Sequence, residues 1–404
     1  MYRFALIFLA FSLFGDDLPK WVRFGAEHRF RFEDYRALRY DSQNEDRWLL
    51  NRFRSNLTLV PASWWSFTFQ GQDLRVFFKE NKAGAAPFTN RMDLRMAYTD
   101  LGKGKVVLRV GRQELAYGEQ RVLGAGNWGN VARTFDAVKL VVKEGPVQVD
   151  LFSASVVKPL QNGISHHLAG NNLHGAYVQW KDFVKGATLE PYFMWRIGPN
   201  VDRRVAGLRL VGLLPGHWDY STEGIEQTGA VAGSVIRAAA LHSVLRHSFT
   251  NWKWQPHWGV EYNYASGDKT PGDGRDSTFD QLYPTPHGNT GLADQVGWQN
   301  VEHVSTFVNV TPWRHLTLRG SAHDWYLAQA RDGVFLTNGN MVFRDLTGQA
   351  GRHVGEELDL LATYTVGPQT AGAGFGHIFP GQFLQHFSRG DGLNYFYLNV
   401  GYRF

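Results

Sequence analysis

Residues 394–404 read NYFYLNVGYRF, and this stretch decides the fold class. Phe396, Leu398, Val400, Tyr402 and Phe404 occupy alternate positions, and the positions between them hold residues such as Asn399, Gly401 and Arg403. Side chains of a β-strand alternate between its two faces, so this segment predicts a strand with one apolar and one polar face.

The same alternation recurs upstream. The segment 21–36 places Val22, Phe24, Phe30 and Phe32 on one face, opposite the charged series that begins at Arg23. Similar segments fill the chain to residue 404, with the least certain limits between residues 182 and 253. Tight turns such as 61–63 and 144–146 alternate with long polar connections such as 114–132 and 266–298. We therefore predict an all-β fold, a single transmembrane antiparallel barrel of about 18 strands with short periplasmic turns and long extracellular loops.

Composition agrees with a membrane barrel. The chain has 404 residues, 14% aromatic residues and no cysteine, and its mean hydropathy is −0.32. The low hydropathy argues against a bundle of transmembrane helices, and the missing cysteines exclude disulfides and thiolate metal sites. Aromatic side chains are expected in the interfacial girdles of a barrel whose inner face is polar.

The termini carry two further signals. The apolar run Phe4–Phe14 after Arg3 is typical of a signal peptide, so we assign residues 1–15 to a signal and 20–404 to the barrel. The final aromatic-x-Phe resembles the assembly signal of bacterial outer-membrane barrels. An outer-membrane location follows, with outer-membrane lipid and the barrel-assembly machinery as partners.

Strand phase predicts which side chains line the lumen. If the apolar faces meet lipid, the inward set is rich in arginine and also contains carboxylates. One interpretation is a structural lattice of ion pairs. The other is an anion path, because guanidinium groups lower the barrier for anions. The inward candidates from phase are Arg52, Arg54, Arg95, Arg109, Arg319, Glu261 and Glu357.

A family resemblance enters at the loops. The segment from Gly111 to Arg121, GRQELAYGEQR, is followed by Trp128 and by RTFD at 133–136, and TFDQLYP and GLAD occur later at 278–284 and 291–294. These motifs resemble the alginate-export family of outer-membrane porins. The resemblance implies an 18-stranded monomer that passes an anionic polysaccharide through an arginine-rich pore, with Arg112 and Arg133 inside matched motifs.

Two alternatives stay open. The chain is shorter than dedicated alginate exporters, so a general or small-organic-anion porin on the same barrel is the second interpretation. A barrel hydrolase that uses Ser321 and His323 is the third interpretation. Our prediction is instead a protein with no enzymatic activity, no cofactor and no nucleic-acid partner. Loop carboxylates Asp268, Asp273 and Asp276 are weak candidates for calcium, because spaced oxygen ligands on a flexible loop suit that ion.

Overall fold

The computed structural model describes residues 18–79 and 88–404, so the predicted signal at 1–15 lies outside the described residues. Within these residues, 18 strands form one closed antiparallel barrel. The first nine are β1 (Val22–Arg36), β2 (Glu45–Ala62), β3 (Trp65–Phe77), β4 (Asn90–Lys103), β5 (Val106–Gln113), β6 (Phe135–Glu144), β7 (Val147–Lys158), β8 (His166–Val184) and β9 (Ala187–Gly198).

The second half continues in the same order, with short elements inserted in the loops. The series is β10 (Val201–Leu214), β11 (Trp218–Val231), β12 (Ser234–Ser248), β13 (His257–Ala265), β14 (Arg275–Asp276), β15 (Val301–Trp313), β16 (Leu316–Leu327), β17 (Gly333–Phe335), β18 (Met341–Arg344), β19 (His353–Val366), β20 (Gln369–Pro380), α1 (Gln382–Phe387) and β21 (Leu393–Arg403). Of this series, β17, β18 and α1 lie outside the barrel sheet, and the two-residue β14 pairs in parallel with the start of β12.

The barrel closes between its first and last strands. β1 pairs with β21 from Glu27 opposite Arg403 to Arg36 opposite Asn394. Beyond that ladder, Ala26 N–H donates to the Phe404 carbonyl at 2.9 Å, and Phe404 N–H donates back at 3.0 Å. The predicted fold class is confirmed, and the alternating stretch at 394–404 forms the strand that completes the ring.

Along most of the chain, tight turns alternate with longer connections, as predicted. We call the end with tight connections the turn end and the other the loop end. One difference concerns the loop expected at 158–172, which shortens to 159–165 because β8 begins at His166. A second lies between residues 182 and 256, where the loop-end connections at 199–200 and 232–233 are only two residues long and the turn-end connection at 249–256 is longer than either.

The wall contains repeated pairs of an aromatic residue directly opposite a glycine on the next strand. The inward ring covers the glycine backbone, because only a residue without a β-carbon leaves the ring that space. The four pairs are Phe152 with Gly175, Tyr192 with Gly207, Phe307 with Gly259 and Tyr397 with Gly374. Such pairs define the strand register and the shape of the sheet.

The outer surface is apolar. Side chains that point away from the lumen, such as Phe30, Leu360 and Val400, are 43%, 66% and 60% exposed. This is the face that an outer-membrane barrel presents to lipid. No helix in the part of the chain that the structure describes is long and apolar enough to cross a membrane.

Candidate functional site in the barrel lumen

Two long connections fold into the lumen. We call residues 114–134 the first lumen loop and residues 266–300 the second. Their backbones pair, since Tyr283 N–H donates to the Val122 carbonyl at 2.9 Å and Gly124 N–H donates to the Tyr283 carbonyl at 2.8 Å. The rings of Trp128 and His287 stack at 3.7 Å. Apolar loop residues such as Val122 are buried, so the loops have an interior of their own inside the barrel.

Five guanidinium groups face the tip of the first lumen loop. We call them the arginine cluster: Arg29, Arg31, Arg52, Arg54 and Arg95. They project inward from β1, β2 and β4 because alternate residues of these strands share a face.

Arg31 and Arg52 are each anchored twice. Arg52 pairs with Glu27 at 2.6 Å and donates to the Asn127 carbonyl at 2.7 Å. Arg31 pairs with Glu33 at 2.6 Å and donates to the Trp128 carbonyl at 2.5 Å. Backbone carbonyls at the loop tip thus take donors that the wall carboxylates leave free, and the loop is held against the wall.

Arg95 lies at a local irregularity of β4. Met96 pairs with Gln70 and Leu94 pairs with Gly71, so Arg95 is an extra residue without a partner on β3. Arg95 donates to the Gln70 side-chain carbonyl at 2.5 Å and pairs with Glu114 at the start of the first lumen loop. Burial acts to raise the pKa of Glu114, but the Arg95 charge outweighs it and holds the pKa below its ordinary value.

The cluster carries more positive than negative charge. Five arginines face three carboxylates, Glu27, Glu33 and Glu114, which leaves a formal excess of two. Among the described residues, neither Arg29 nor Arg54 has a carboxylate within 4.0 Å. Arg29 donates to loop carbonyls, and Arg54 donates to Gln72 and to the Asn127 side chain. In the described parts of the chain, 18–79 and 88–404, no hydrogen-bond partner meets the buried atoms Arg29 Nε and Arg54 Nη2.

A cavity of about 370 Å³ opens beside Arg54, toward the turn end. Four arginines and two glutamates line it, so its charged lining is net positive by two. An uncompensated buried charge is costly unless a counter-charge arrives. A carboxylate that enters the cavity would supply the negative charge and the hydrogen-bond acceptor that Arg54 lacks. It could accept hydrogen bonds from two N–H groups of one guanidinium at once. The charged lining residues are Arg52, Arg54, Arg95, Arg403, Glu27 and Glu114.

The other predicted arginines have different surroundings. Arg109 pairs with Asp100 through two contacts at 2.7 and 2.9 Å. Arg133 joins the two lumen loops, because it donates to the carbonyls of Gly124 and Pro284. Burial lowers the pKa of Arg133 to about 10. Arg319 lies on the far wall with its guanidinium 4.1 Å from the Phe307 ring.

Arg112 differs from the pore-lining prediction. The β5 ladder runs without a register shift, so Arg112 and Arg109, three residues apart, lie on opposite faces. Arg112 shares the outer face with the exposed Val110 and pairs with Asp136 at 2.7 Å. This motif position therefore belongs to the outer wall at the loop end, where Arg112 also donates to the Ser165 carbonyl.

The two predicted glutamates belong to an opposite, acidic wall. Glu261 pairs with Arg121 of the first lumen loop at 2.6 Å. Glu357 is fully buried and accepts the Ala293 N–H of the second lumen loop at 2.8 Å. Both carboxylates thus fasten lumen loops to the wall.

A chain of polar contacts, each between 2.7 and 3.1 Å, runs from the first lumen loop across the strands of that wall. Both nitrogens of the His323 ring are engaged, one by His303 and one by Asp359. Ser321 contacts Asp359 at 3.4 Å instead of His323, so these two residues are not arranged as a nucleophile and its base. In order, the chain contains Glu119, His242, Asn263, His303, His323 and Asp359.

The three calcium candidates do not converge. Asp268, Asp273 and Asp276 each accept the N–H of the residue two positions later, at 2.8–3.2 Å, and so each stabilises its own turn. Calcium binding there stays a prediction.

Several lumen contacts have no signature in the sequence. The carbonyls of Asn127, Trp128 and Gly129 hold the arginine cluster, yet a backbone carbonyl is common to every residue. The available signal was the set of apolar residues inside a long connection, such as Leu115 and Leu123, which indicates a loop that is packed instead of solvated.

The family model described as Alginate export matches residues 20–394. A search of curated protein sequences returned no match.

Solved structures with the same fold include three bacterial barrels. OccK11 (OpdR) of Pseudomonas aeruginosa has 12% identity and a TM-score of 0.62, covering 95% of each chain. OccD3 (OpdP) of the same organism has 10% identity and a TM-score of 0.67, covering 96% of this chain and 92% of its own. OccAB2 of Acinetobacter baumannii has 10% identity and a TM-score of 0.63, covering 95% and 98%. At such identities the likeness concerns the fold alone.

Proposed function

We propose, because the chain belongs to the alginate-export family and forms an outer-membrane porin barrel, that it passes an alginate-like anionic polysaccharide. The observation that carries the proposal is the excess positive charge of the arginine cluster. Within the residues that the structure describes, Arg29 and Arg54 have no carboxylate partner, and Arg54 Nη2, beside the cavity, has no hydrogen-bond partner. Uronate residues present one carboxylate per sugar, so a chain of them offers repeated ligands to these guanidiniums.

A specific observation also favours the second candidate, a porin for small organic anions. The two lumen loops meet through the Trp128–His287 stack and a backbone pairing, and the cavity between the first lumen loop and the arginine cluster is about 370 Å³. That size lies at the low end of pockets that hold a single small ligand. In this arrangement a monomeric carboxylate fits the cavity more readily than a threaded polymer.

Single-channel recording separates the two candidates. Purified protein in a planar bilayer should conduct anions in preference to cations, and oligouronates added to one side should block the current at concentrations where a monouronate does not. Equal block by both ligands per carboxylate would favour the small-anion porin. Cation preference, with no effect of either ligand, would contradict both.

A further inference from the structure

A group of metal-ligating side chains lies on the outer wall at the loop end, away from the lumen. Asp324 of β16 and Glu356 of β19 are cross-strand partners, and His353 lies at the start of β19. The nearest ligand atoms of the three residues all lie within 4.8 Å of one another. In the described part of the chain, this is the only cluster of three or more such residues that meets that distance.

An irregularity in β19 creates the cluster. Tyr326 faces His353 and Trp325 faces Gly355, so Val354 is an extra residue without a partner on β16. In a regular strand His353 and Glu356, three positions apart, would lie on opposite faces. The β-bulge brings both onto the outer face, and bulges commonly redirect a side chain in this way.

Glycine makes this bulge possible. Gly355 has a φ of +151°, and a β-carbon there would lie 2.4 Å from the Phe379 carbonyl oxygen. Any other residue would push β19 away from β20 at this point. The placement of His353 beside two carboxylates is therefore built into the backbone of the wall.

The charges of the cluster are poorly balanced within the protein. Asp324 contacts His353 Nε2 at 3.1 Å, and no basic side chain of the described residues lies within 4.0 Å of the Glu356 carboxylate. One imidazole nitrogen and two carboxylates form a ligand set suited to first-row divalent ions, and zinc in particular accepts both ligand types.

The surroundings leave room for further ligands. A groove of about 290 Å³ on the outer wall is lined by apolar residues such as Val304, Ala322 and Leu358 and ends at Asp324 and Glu356. The cluster thus marks the edge of the apolar belt, where the wall meets polar head groups. An ion held there has its outer coordination positions open to water or head-group oxygens.

We propose that Asp324, His353 and Glu356 form an outward-facing binding site for a divalent transition-metal ion of the zinc type. The site is independent of transport, because its three side chains lie on the opposite face of the wall from the arginine cluster. Its ligands come from two strands, so the bound ion also links β16 to β19 at the loop end.

Calorimetric titration of the untagged, detergent-solubilised protein with zinc chloride tests the site. The wild type should bind one ion, and His353→Ala and Glu356→Gln should each weaken binding by at least about tenfold. Glu302→Gln is the matched control, because Glu302 is an outward carboxylate of β15 at the same end but pairs with Arg352. It should bind as the wild type does.

A converted ligand set gives a second test. His353→Asp leaves only oxygen ligands, so the preference should shift from zinc toward calcium. Heat-modifiable mobility in gels establishes that each variant is folded, and Glu356→Gln, which is exposed and nearly isosteric, suffices if the histidine variants fail to fold.

Two results would overturn the proposal. One is a wild type that binds no zinc. The other is unchanged binding in Glu356→Gln, which would assign the ion to other histidines, such as His303 and His323 in the lumen.

Discussion

Arg54 and Arg112 show how strongly the role of one arginine depends on what surrounds its guanidinium. Both were predicted to line the pore. Arg54 lies in the lumen with no carboxylate partner from the described segments, whereas Arg112 lies on the outer face and is neutralised by Asp136. The electrostatic potential in the lumen should therefore depend on Arg54 and hardly at all on Arg112.

We predict that Arg54→Gln lowers the anion-to-cation permeability ratio by about twofold or more, because it removes one of two uncompensated charges. The measurement is the reversal potential in a salt gradient across a planar bilayer. Arg112→Gln is the matched control and should leave the ratio unchanged. A larger effect of Arg112→Gln would return that residue to the pore.

The sequence predicts the side-chain direction at Arg52 and Arg54 because these residues lie within a regular strand, where phase is unambiguous. The pore-lining prediction for Arg112 rests on the family motif and not on phase, because phase counted from Arg109 along the unshifted β5 puts Arg112 on the outer face. Phase itself is lost at a bulge, and His353 faces outward only because Val354 is an extra residue. Phase cannot be counted across a bulge that is not visible in the pattern.

At the scale of elements, the aromatic–glycine pairs couple neighbouring strands. Tyr192 of β9 covers Gly207 of β10, and its hydroxyl donates to Glu223 of β11 at 2.6 Å. The ring thus spans two strand interfaces and contacts a third element with its polar end. Displacement of the ring would disturb all of them.

We predict that Gly207→Ala destabilises the barrel by about 1–3 kcal/mol, because the new β-carbon would lie 2.1 Å from Tyr192 Cζ. Gly224→Ala on β11 is the control, since nothing lies within 4 Å of a β-carbon there. Urea unfolding in lipid vesicles measures both. Equal stability of the two variants would show that the ring moves freely.

The first lumen loop is fastened by ionised carboxylates of its own. Burial acts to raise the pKa of Glu119, but the hydrogen bond from His242 and the charges of Arg121 and Arg209 outweigh it, so the pKa is lowered. A lowered pKa stabilises the folded loop above the ordinary pKa, and that contribution is lost as the pH falls toward the folded value.

We therefore predict constant single-channel conductance from pH 7 to about pH 5, with loop release only below about pH 4.5. Conductance and current noise as functions of pH measure the release. In Glu119→Gln the acid-dependent step attributable to this carboxylate should disappear. A step centred between pH 6 and 7 would point to a histidine instead.

The conformation of these loops could not be predicted from the sequence. A strand is visible in the sequence as an alternation of apolar and polar residues. The loops are organised by contacts between segments about 160 residues apart, such as Val122 with Tyr283. Length and apolar content indicate that a loop is packed. They do not indicate which backbone carbonyls will meet the arginine cluster.

For the whole molecule, the central prediction is the ring itself, and the absence of cysteine makes it testable. Phe30 and Val400 are direct partners across the β1–β21 seam. A double variant with Phe30→Cys and Val400→Cys should form a disulfide on mild oxidation, because directly opposed residues lie within bonding range.

The control pairs Phe30→Cys with Leu398→Cys, which is displaced by two positions on the same face. Its separation should exceed the roughly 7 Å limit for a disulfide, so free thiols should remain. Thiol titration under denaturing conditions distinguishes the two variants. Equal cross-linking would indicate a shifted register at the seam.

The seam between β1 and β21 also sets an order of events in time. Its contacts join residues up to 376 positions apart, such as Glu27 and Arg403, so the ring cannot close until the last strand has left the ribosome and reached the membrane. Contacts of such long range make folding slow. Until closure, β1 has an unpaired edge that could accept a strand from another chain. The cell must therefore keep the first strand shielded for the whole interval in which the last one is being made and delivered.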